Sequence, residues 1–323
     1  MTYGYYPGCA LGLHARAHHA YHLSTLAVAK VLGLELAEVP DWNCCGATEY
    51  FSVDLLPAYA LVARNLALAA EQGHGQVVAP CSACYLNLTK TDRYMADSAE
   101  LNNKVNLALA AGGLHYTPGS VRVRHLLEVV FTDVGPERLA TRVTRPLTGL
   151  RVAPYYGCMT VRPAYLGAFD NPEHPTVLDQ LLRVLGAKVV DYPLKAQCCG
   201  GHMTQISEET ALELLRRLLK GAADYDTDVM AALCPMCQLN LDGYQDAVNR
   251  HFKVNYHIPI LYFTQLLGLA LGLSDAEVGI GQEFVDARPA LARIGAERPA
   301  IPAGRRRAGA KDGLPMPSMP EEV

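Results

Sequence analysis

The sequence has little net charge and no long apolar stretch. Its 28 basic and 32 acidic residues leave a formal charge of −4, so it lacks the broad positive field that nucleic-acid binding demands. The longest apolar run, Ile258 to Leu273, is interrupted by Thr264 and Gln265. At 16 residues it falls short of the roughly 20 that cross a bilayer and reads as a core helix. The opening Met1-Thr2-Tyr3-Gly4-Tyr5-Tyr6 has neither a basic start nor a following apolar leader, which points to the cytoplasm. No glycine-rich dinucleotide fingerprint follows a strand and no flavin motif occurs. Neither NAD nor flavin is therefore expected on this chain.

What the chain does have is cysteine. Ten occur among 323 residues that are 50% hydrophobic and 19% charged, the balance of a globular protein long enough for two domains. In a reducing compartment such clusters bind metal or react more often than they form structural disulfides.

The cysteines form one pattern written twice: Cys9, Cys44, Cys45, Cys81 and Cys84, then Cys158, Cys198, Cys199, Cys234 and Cys237. The first pair is offset by 149 residues and the others by 153 or 154. The flanking text repeats too. Tyr5-Tyr6-Pro7-Gly8-Cys9 matches Tyr155-Tyr156-Gly157-Cys158, and Cys44-Cys45-Gly46 matches Cys198-Cys199-Gly200. Cys81-Ser82-Ala83-Cys84-Tyr85-Leu86-Asn87-Leu88 matches Cys234-Pro235-Met236-Cys237-Gln238-Leu239-Asn240-Leu241. A repeat this long is a duplicated domain rather than a solenoid unit. The break is expected near Arg145-Pro146-Leu147-Thr148-Gly149, giving a first domain over 1–147 and a second over 148–280. Residues 281–323, rich in Pro, Ala, Gly and Arg after Arg288 and including Arg305-Arg306-Arg307, read as a flexible, disordered C-terminal tail.

Apolar stretches precede each cysteine group: Tyr3 to Tyr6, Leu34 to Val39 and Gln76 to Ala79, then Arg151 to Tyr156, Lys188 to Tyr192 and Val229 to Leu233. These read as buried strands. Helix-length segments lie between them, Leu55 to Gln72 and Glu208 to Lys220, stopped by Gly73 and Gly221. The expected class is α/β, with two homologous domains, each a small, mainly parallel sheet with flanking helices. Right-handed crossovers bring parallel strands' carboxyl ends to one edge, where such folds place ligands. One five-cysteine metal site per half is the expectation.

Four thiolates suit zinc or iron-sulfur, and the Cys81-x-x-Cys84 spacing does not separate them. Adjacent cysteines point in divergent directions, which is awkward around one small ion, and structural zinc closes at four ligands and leaves a fifth thiol over. Iron-sulfur is favoured. A thioredoxin-like dithiol at Cys234-Pro235-Met236-Cys237 would leave three neighbouring cysteines idle. His14, His18, His19 and His22 have helical spacing and read as a polar helix face without metal. His202, beside Gly200 and Gly201, is either a proton donor to a released thiolate or a hydrogen-bonded loop histidine. Gly46, Gly200 and Gly201 are expected to let the backbone approach the sulfurs.

The repeated Cys, Cys-Cys-Gly, Cys-x-x-Cys pattern resembles the cysteine-rich CCG domain of the heterodisulfide reductase B-subunit family. The likeness covers about residues 1 to 272 and extends to Ala63-Arg64-Asn65-Leu66-Ala67 and Tyr156-Gly157-Cys158. It implies a noncubane 4Fe-4S cluster on each set of five cysteines. It further implies that the two clusters are themselves the catalysts and flank a disulfide of two small thiols, which is reduced or formed. The implied partners are a ferredoxin-like iron-sulfur subunit, of the kind called C in that family, and beyond it a flavoprotein subunit, of the kind called A. Through these partners the protein would meet a membrane if at all. Relatives with the same domain serve glycolate and lactate oxidation and thiol-dependent fumarate reduction. A noncatalytic electron-transfer subunit is thus the competing reading, and a zinc-stabilised assembly module a third. One departure is the gap between Cys158 and Cys198, which holds 39 residues against 34 in the first half, so that loop is expected to be longer.

Overall fold

A computed structural model describes residues 2–11, 18–167 and 169–296. Its eight strands form two parallel four-stranded sheets. In the first, β1 (Thr2–Tyr5), β2 (Glu35–Glu38), β3 (Gln76–Ala79) and β4 (Arg122–His125) lie in the order β2-β1-β3-β4. In the second, β5 (Arg151–Tyr155), β6 (Lys188–Val189), β7 (Val229–Ala232) and β8 (Ile260–Tyr262) repeat that order as β6-β5-β7-β8. Every pairing is parallel, so each strand must return through a crossover, and the apolar runs of the sequence are strands buried on both faces. The duplicated α/β architecture expected from the cysteine repeat is thus present in full.

The halves share a core. The helix His19–Leu32 of the first half packs on the helix Phe263–Ala270 of the second, and the helix Pro136–Arg142 packs on the helix Val177–Val184. Val28, Leu32, Leu127, Val130 and Leu139 are buried in one cluster with Leu178, Leu181, Leu182, Leu266 and Leu267. Apolar faces that an isolated half would expose to water are therefore covered by the other half.

Three sequence expectations change. The apolar run Ile258–Leu273 is a strand and a helix rather than one helix, because Tyr262, still extended, caps the helix that starts at Phe263. Gly73 ends the helix Leu55–Glu71 in a left-handed conformation (φ +75°), as expected. Gly221, however, lies inside the helix Glu208–Asp224. A Cβ there would sit 2.9 Å from Leu194 Cδ1 and 3.1 Å from a ring carbon of Tyr192, so this glycine serves close packing of the segment leading to Cys198. Finally, 281–296, assigned from sequence to the flexible tail, is packed. Phe284 N–H donates to Asp242 at 2.7 Å, Arg293 pairs with Asp228, and Leu291 is buried. The rest of the tail, 297–323, lies outside the described residues. No helix of the described residues is long and apolar enough to cross a membrane.

Candidate metal centre

All ten cysteines lie just beyond the carboxyl ends of strands. Cys9 follows β1, Cys44 and Cys45 follow β2, and Cys81 and Cys84 follow β3; Cys158, Cys198, Cys199, Cys234 and Cys237 repeat this after β5, β6 and β7. None of the ten forms a disulfide. Within the first half Cys9 and Cys44 Sγ lie 3.4 Å apart, as do Cys45 and Cys84 Sγ. Within the second half Cys199 and Cys237 Sγ are again 3.4 Å apart. Neighbouring thiols also touch at Cys44 and Cys45, Cys81 and Cys84, Cys158 and Cys198, Cys198 and Cys199, and Cys234 and Cys237. The two sets meet where Cys81 contacts Cys234. The ten sulfurs thus form one line, symmetric about that central contact, with Cys9 and Cys158 at its ends. The centre is buried, and Cys9 and Cys198 are exposed.

The adjacent cysteines diverge as an extended backbone requires: Cys44 turns outward to Cys9 and Cys45 inward to Cys84. Among the described residues no three His, Cys, Asp or Glu side chains are disposed around a single ion; the sulfurs make a line of contacts, not a shell. Protons are shared unequally along it. Contacts from Cys45 and Cys9, with the Gly46 N–H, lower the Cys44 thiol to about 2, and Cys158, Cys199 and Gly200 do the same for Cys198. Cys45 is pushed up to about 11 and Cys199 to about 12, first by their ionised neighbours. Like charges this close do not all ionise unaided. Five thiolates per half require cations among them, and soft sulfur donors in that number fit a multi-iron cluster.

The surroundings are built in duplicate. Tyr6 OH donates to the carbonyl of Asn43 at 2.7 Å, and Tyr155 OH to that of Gln197 at 2.7 Å, just ahead of each Cys-Cys pair. Asn87 donates its amide to the carbonyls of Cys45 (3.0 Å) and Ala47 (2.7 Å). Asn240 does so to Cys199 (3.3 Å) and Gly201 (2.7 Å). Gly46 and Gly200 donate their N–H groups to Cys44 and Cys198 Sγ at 3.4 and 3.3 Å. Two further glycines, not named from the sequence, also approach sulfurs closely. A Cβ on Gly8 would lie 2.7 Å from Cys84 Sγ and one on Gly157 3.1 Å from Cys237 Sγ, both at positive φ. Tyr6, Asn87, Gly8 and their partners escaped assignment from sequence, although all stand in the repeated phrases, which was the available signal.

The histidines divide. His14 lies outside the described residues. His18 is not on a polar face: it is buried and shares a 2.8 Å hydrogen bond with Tyr262 OH across the two halves. His19 and His22 stack on the helix His19–Leu32. His202 is half-buried, 3.0 Å from Thr48 Oγ1 and paired with Glu49, so it ties the two Cys-Cys-Gly loops together. Absent from the sequence reading was His125, wholly buried at the end of β4, its pKa lowered to about 4 by burial. The longer second-half loop reaches the first half, where Phe169 stacks on His125 and Tyr165 bonds to Tyr94.

Comparison with known proteins agrees with this duplication. The family model described as the CCG cysteine-rich domain matches twice, over 3–89 and 152–242. The chain is 35% identical over 285 residues to the 8-methylmenaquinol:fumarate reductase membrane anchor subunit of Wolinella succinogenes, covering 88% of this chain and 97% of that one. It is 35% identical over 266 residues to the B subunit of the Ferredoxin/F(420)H(2)-dependent CoB-CoM heterodisulfide reductase of Methanosarcina acetivorans, covering 81% and 88%. A crystal structure of a hypothetical protein from Helicobacter pylori has the same fold, with a TM-score of 0.70 at 18% identity. The match covers 88% of this chain and 52% of that longer one.

Proposed function

Since the chain belongs to the CCG cysteine-rich domain family and has homologues among heterodisulfide reductase B subunits, we propose that it is the iron-sulfur catalytic subunit of a heterodisulfide reductase-like complex. Each half would hold one 4Fe-4S cluster, on Cys9, Cys44, Cys45, Cys81 and Cys84 and on Cys158, Cys198, Cys199, Cys234 and Cys237. The observation that carries this reading is the single symmetric line of ten thiols. Two complete sites that touch at Cys81 and Cys234 suit a two-electron reaction better than a simple relay does.

The balance is a disulfide plus two electrons and two protons giving two thiols. When bound, the clusters supply one-electron steps and iron to which sulfur binds. The chain's own residues do the rest. Asn87, Asn240, Tyr6 and Tyr155 hold the Cys-Cys loops rigid, and the carboxyl-end edge of the sheets keeps the inner thiols from water. His202, which joins the two loops through Thr48 and Glu49, would be the proton donor to a released thiolate. Electrons would arrive from a ferredoxin-like subunit and a flavoprotein subunit, in the cytoplasm or at a membrane through those partners.

The match to nearly the whole Wolinella fumarate reductase subunit favours a second reading, an electron-transfer subunit of another oxidoreductase. One set of measurements tests both. The chain is produced anaerobically and iron, zinc and acid-labile sulfide are counted, with electron paramagnetic resonance after disulfide addition. About eight iron atoms per chain and a disulfide-dependent signal are expected. Replacement of Cys45 or Cys199 by serine should abolish disulfide turnover. Turnover that persists after confirmed cluster loss overturns the catalytic reading. Iron and sulfide without any response to disulfides leave the electron-transfer reading, and zinc without sulfide removes both.

A further inference from the structure

The central contact has one unduplicated feature. Tyr21, wholly buried on the helix His19–Leu32, donates its hydroxyl to the carbonyl of Pro80 at 2.7 Å and reaches the carbonyl of Leu233 at 3.2 Å. Pro80 immediately precedes Cys81, and Leu233 immediately precedes Cys234. Both cysteines are the extended cap residues of the helices Ser82–Asp97 and Pro235–Gly243, so one hydroxyl holds the entry to the Cys-x-x-Cys turn of each half. The Tyr21 ring lies flat on Tyr262, 4.0 Å between centroids and 7° between planes, and Tyr262 is in turn fixed by His18. Ser82 Oγ, bonded to Thr160 of the second half at 2.6 Å, adds only a long 3.4 Å contact to the Leu233 carbonyl.

The symmetry of the fold is broken here. Eleven residues past Cys158, where Tyr21 stands twelve past Cys9, the second half has Phe169. Phe169 stacks on His125 as Tyr21 stacks on Tyr262, but it has no hydroxyl. The ring alone therefore suffices for packing, and the hydroxyl has a separate task. Resting on the reading that the two sites hold redox-active clusters, we propose that Tyr21 is a positioning residue that fixes the Cys81 and Cys234 contact and so sets the potentials of both sites together. Its hydroxyl offsets two carbonyl dipoles beside the central thiols. Without it these carbonyls keep only weaker partners, the long Ser82 contact at Leu233 and the buried His125 ring beside both, in a region where lost compensation weighs most, and added electrons at either site become less favourable.

Tyr21→Phe keeps the ring and removes the hydroxyl. The full chain with its metal, wild type and variant, is titrated with reductant under electron paramagnetic resonance, and metal and sulfide are counted alongside. The expected result is an unchanged metal content with the potentials of both sites moved to more negative values. Tyr262→Phe, which leaves the Tyr21 hydroxyl in place, should move them less. Unchanged potentials, or movement of one site alone, overturn the proposal. Amide hydrogen exchange over 80–86 and 233–239 supplies a readout that needs no redox signal. Tyr21→Phe should speed exchange in both segments, and unaltered exchange in either overturns the clamp. A chain that carries no iron sinks the functional reading, while the exchange result still decides whether Tyr21 joins the two turns.

Discussion

The side-chain amide of Asn87 donates to the backbone carbonyl of Cys45 at 3.0 Å, 42 residues back along the chain. The N-terminal half of one helix thereby controls a loop that follows another strand. Asn240 repeats the arrangement on Cys199. A buried carbonyl that loses its donor costs about 1–3 kcal/mol, and here two carbonyls depend on each amide.

Asn87→Ala should therefore loosen the first site and Asn240→Ala the second. Metal analysis should show each single variant losing about half of its iron, and the double variant losing most of it. Full retention in both singles would mean that the cysteines alone hold the loops.

The two close-approach glycines should differ in severity. Alanine at Gly8 places a Cβ 2.7 Å from Cys84 Sγ, while alanine at Gly157 leaves 3.1 Å to Cys237 Sγ. Both also strain a left-handed backbone, by about 1 kcal/mol. Gly8→Ala should lose metal in the first half and Gly157→Ala should lose less in the second, as counted by iron per chain.

The buried pair Lys195 and Asp179, 2.9 Å apart, holds the approach to the second Cys-Cys loop, with Tyr156 OH donating to the other carboxylate oxygen at 2.8 Å. Lys195→Ala leaves an uncompensated buried carboxylate and should cost about 3–5 kcal/mol. Urea denaturation checks this. The double variant Lys195→Met with Asp179→Leu should recover most of the loss, because burying no charge is cheaper than burying one alone.

Asp242 makes stability depend on pH. Burial raises its carboxyl to about 7, with N–H donors from Phe284 and Val285 opposing only in part. The folded state therefore keeps a proton that the unfolded chain has released. Stability is fully present below about pH 4 and falls as pH rises toward about 7, by up to about 4 kcal/mol. Asp242→Asn should flatten the dependence of the urea midpoint between about pH 4 and about pH 7. A slope that persists would place the titrating group elsewhere.

Much of this protein was determined by the sequence alone. Six of the eight strands announce themselves as short apolar runs ahead of cysteines, and the duplicated spacing implies two like domains whose strand ends carry the thiols. β4 and β8 were less legible. Arg122–His125 has a polar, half-exposed start, and Ile260–Tyr262 runs directly into an apolar helix, so neither offers a turn signal between period and period. Only the tertiary structure decided that the two sites touch, because the Cys81 and Cys234 contact depends on how the helices His19–Leu32 and Phe263–Ala270 cross between the halves. It also decided that His18 is buried against Tyr262, that Gly221 admits Tyr192 and Leu194, and that Tyr21 spans two carbonyls 153 positions apart. Spacing along a chain specifies which side chains share a strand end. Which of those ends face one another is set by packing between domains, a relation that local periodicity does not contain.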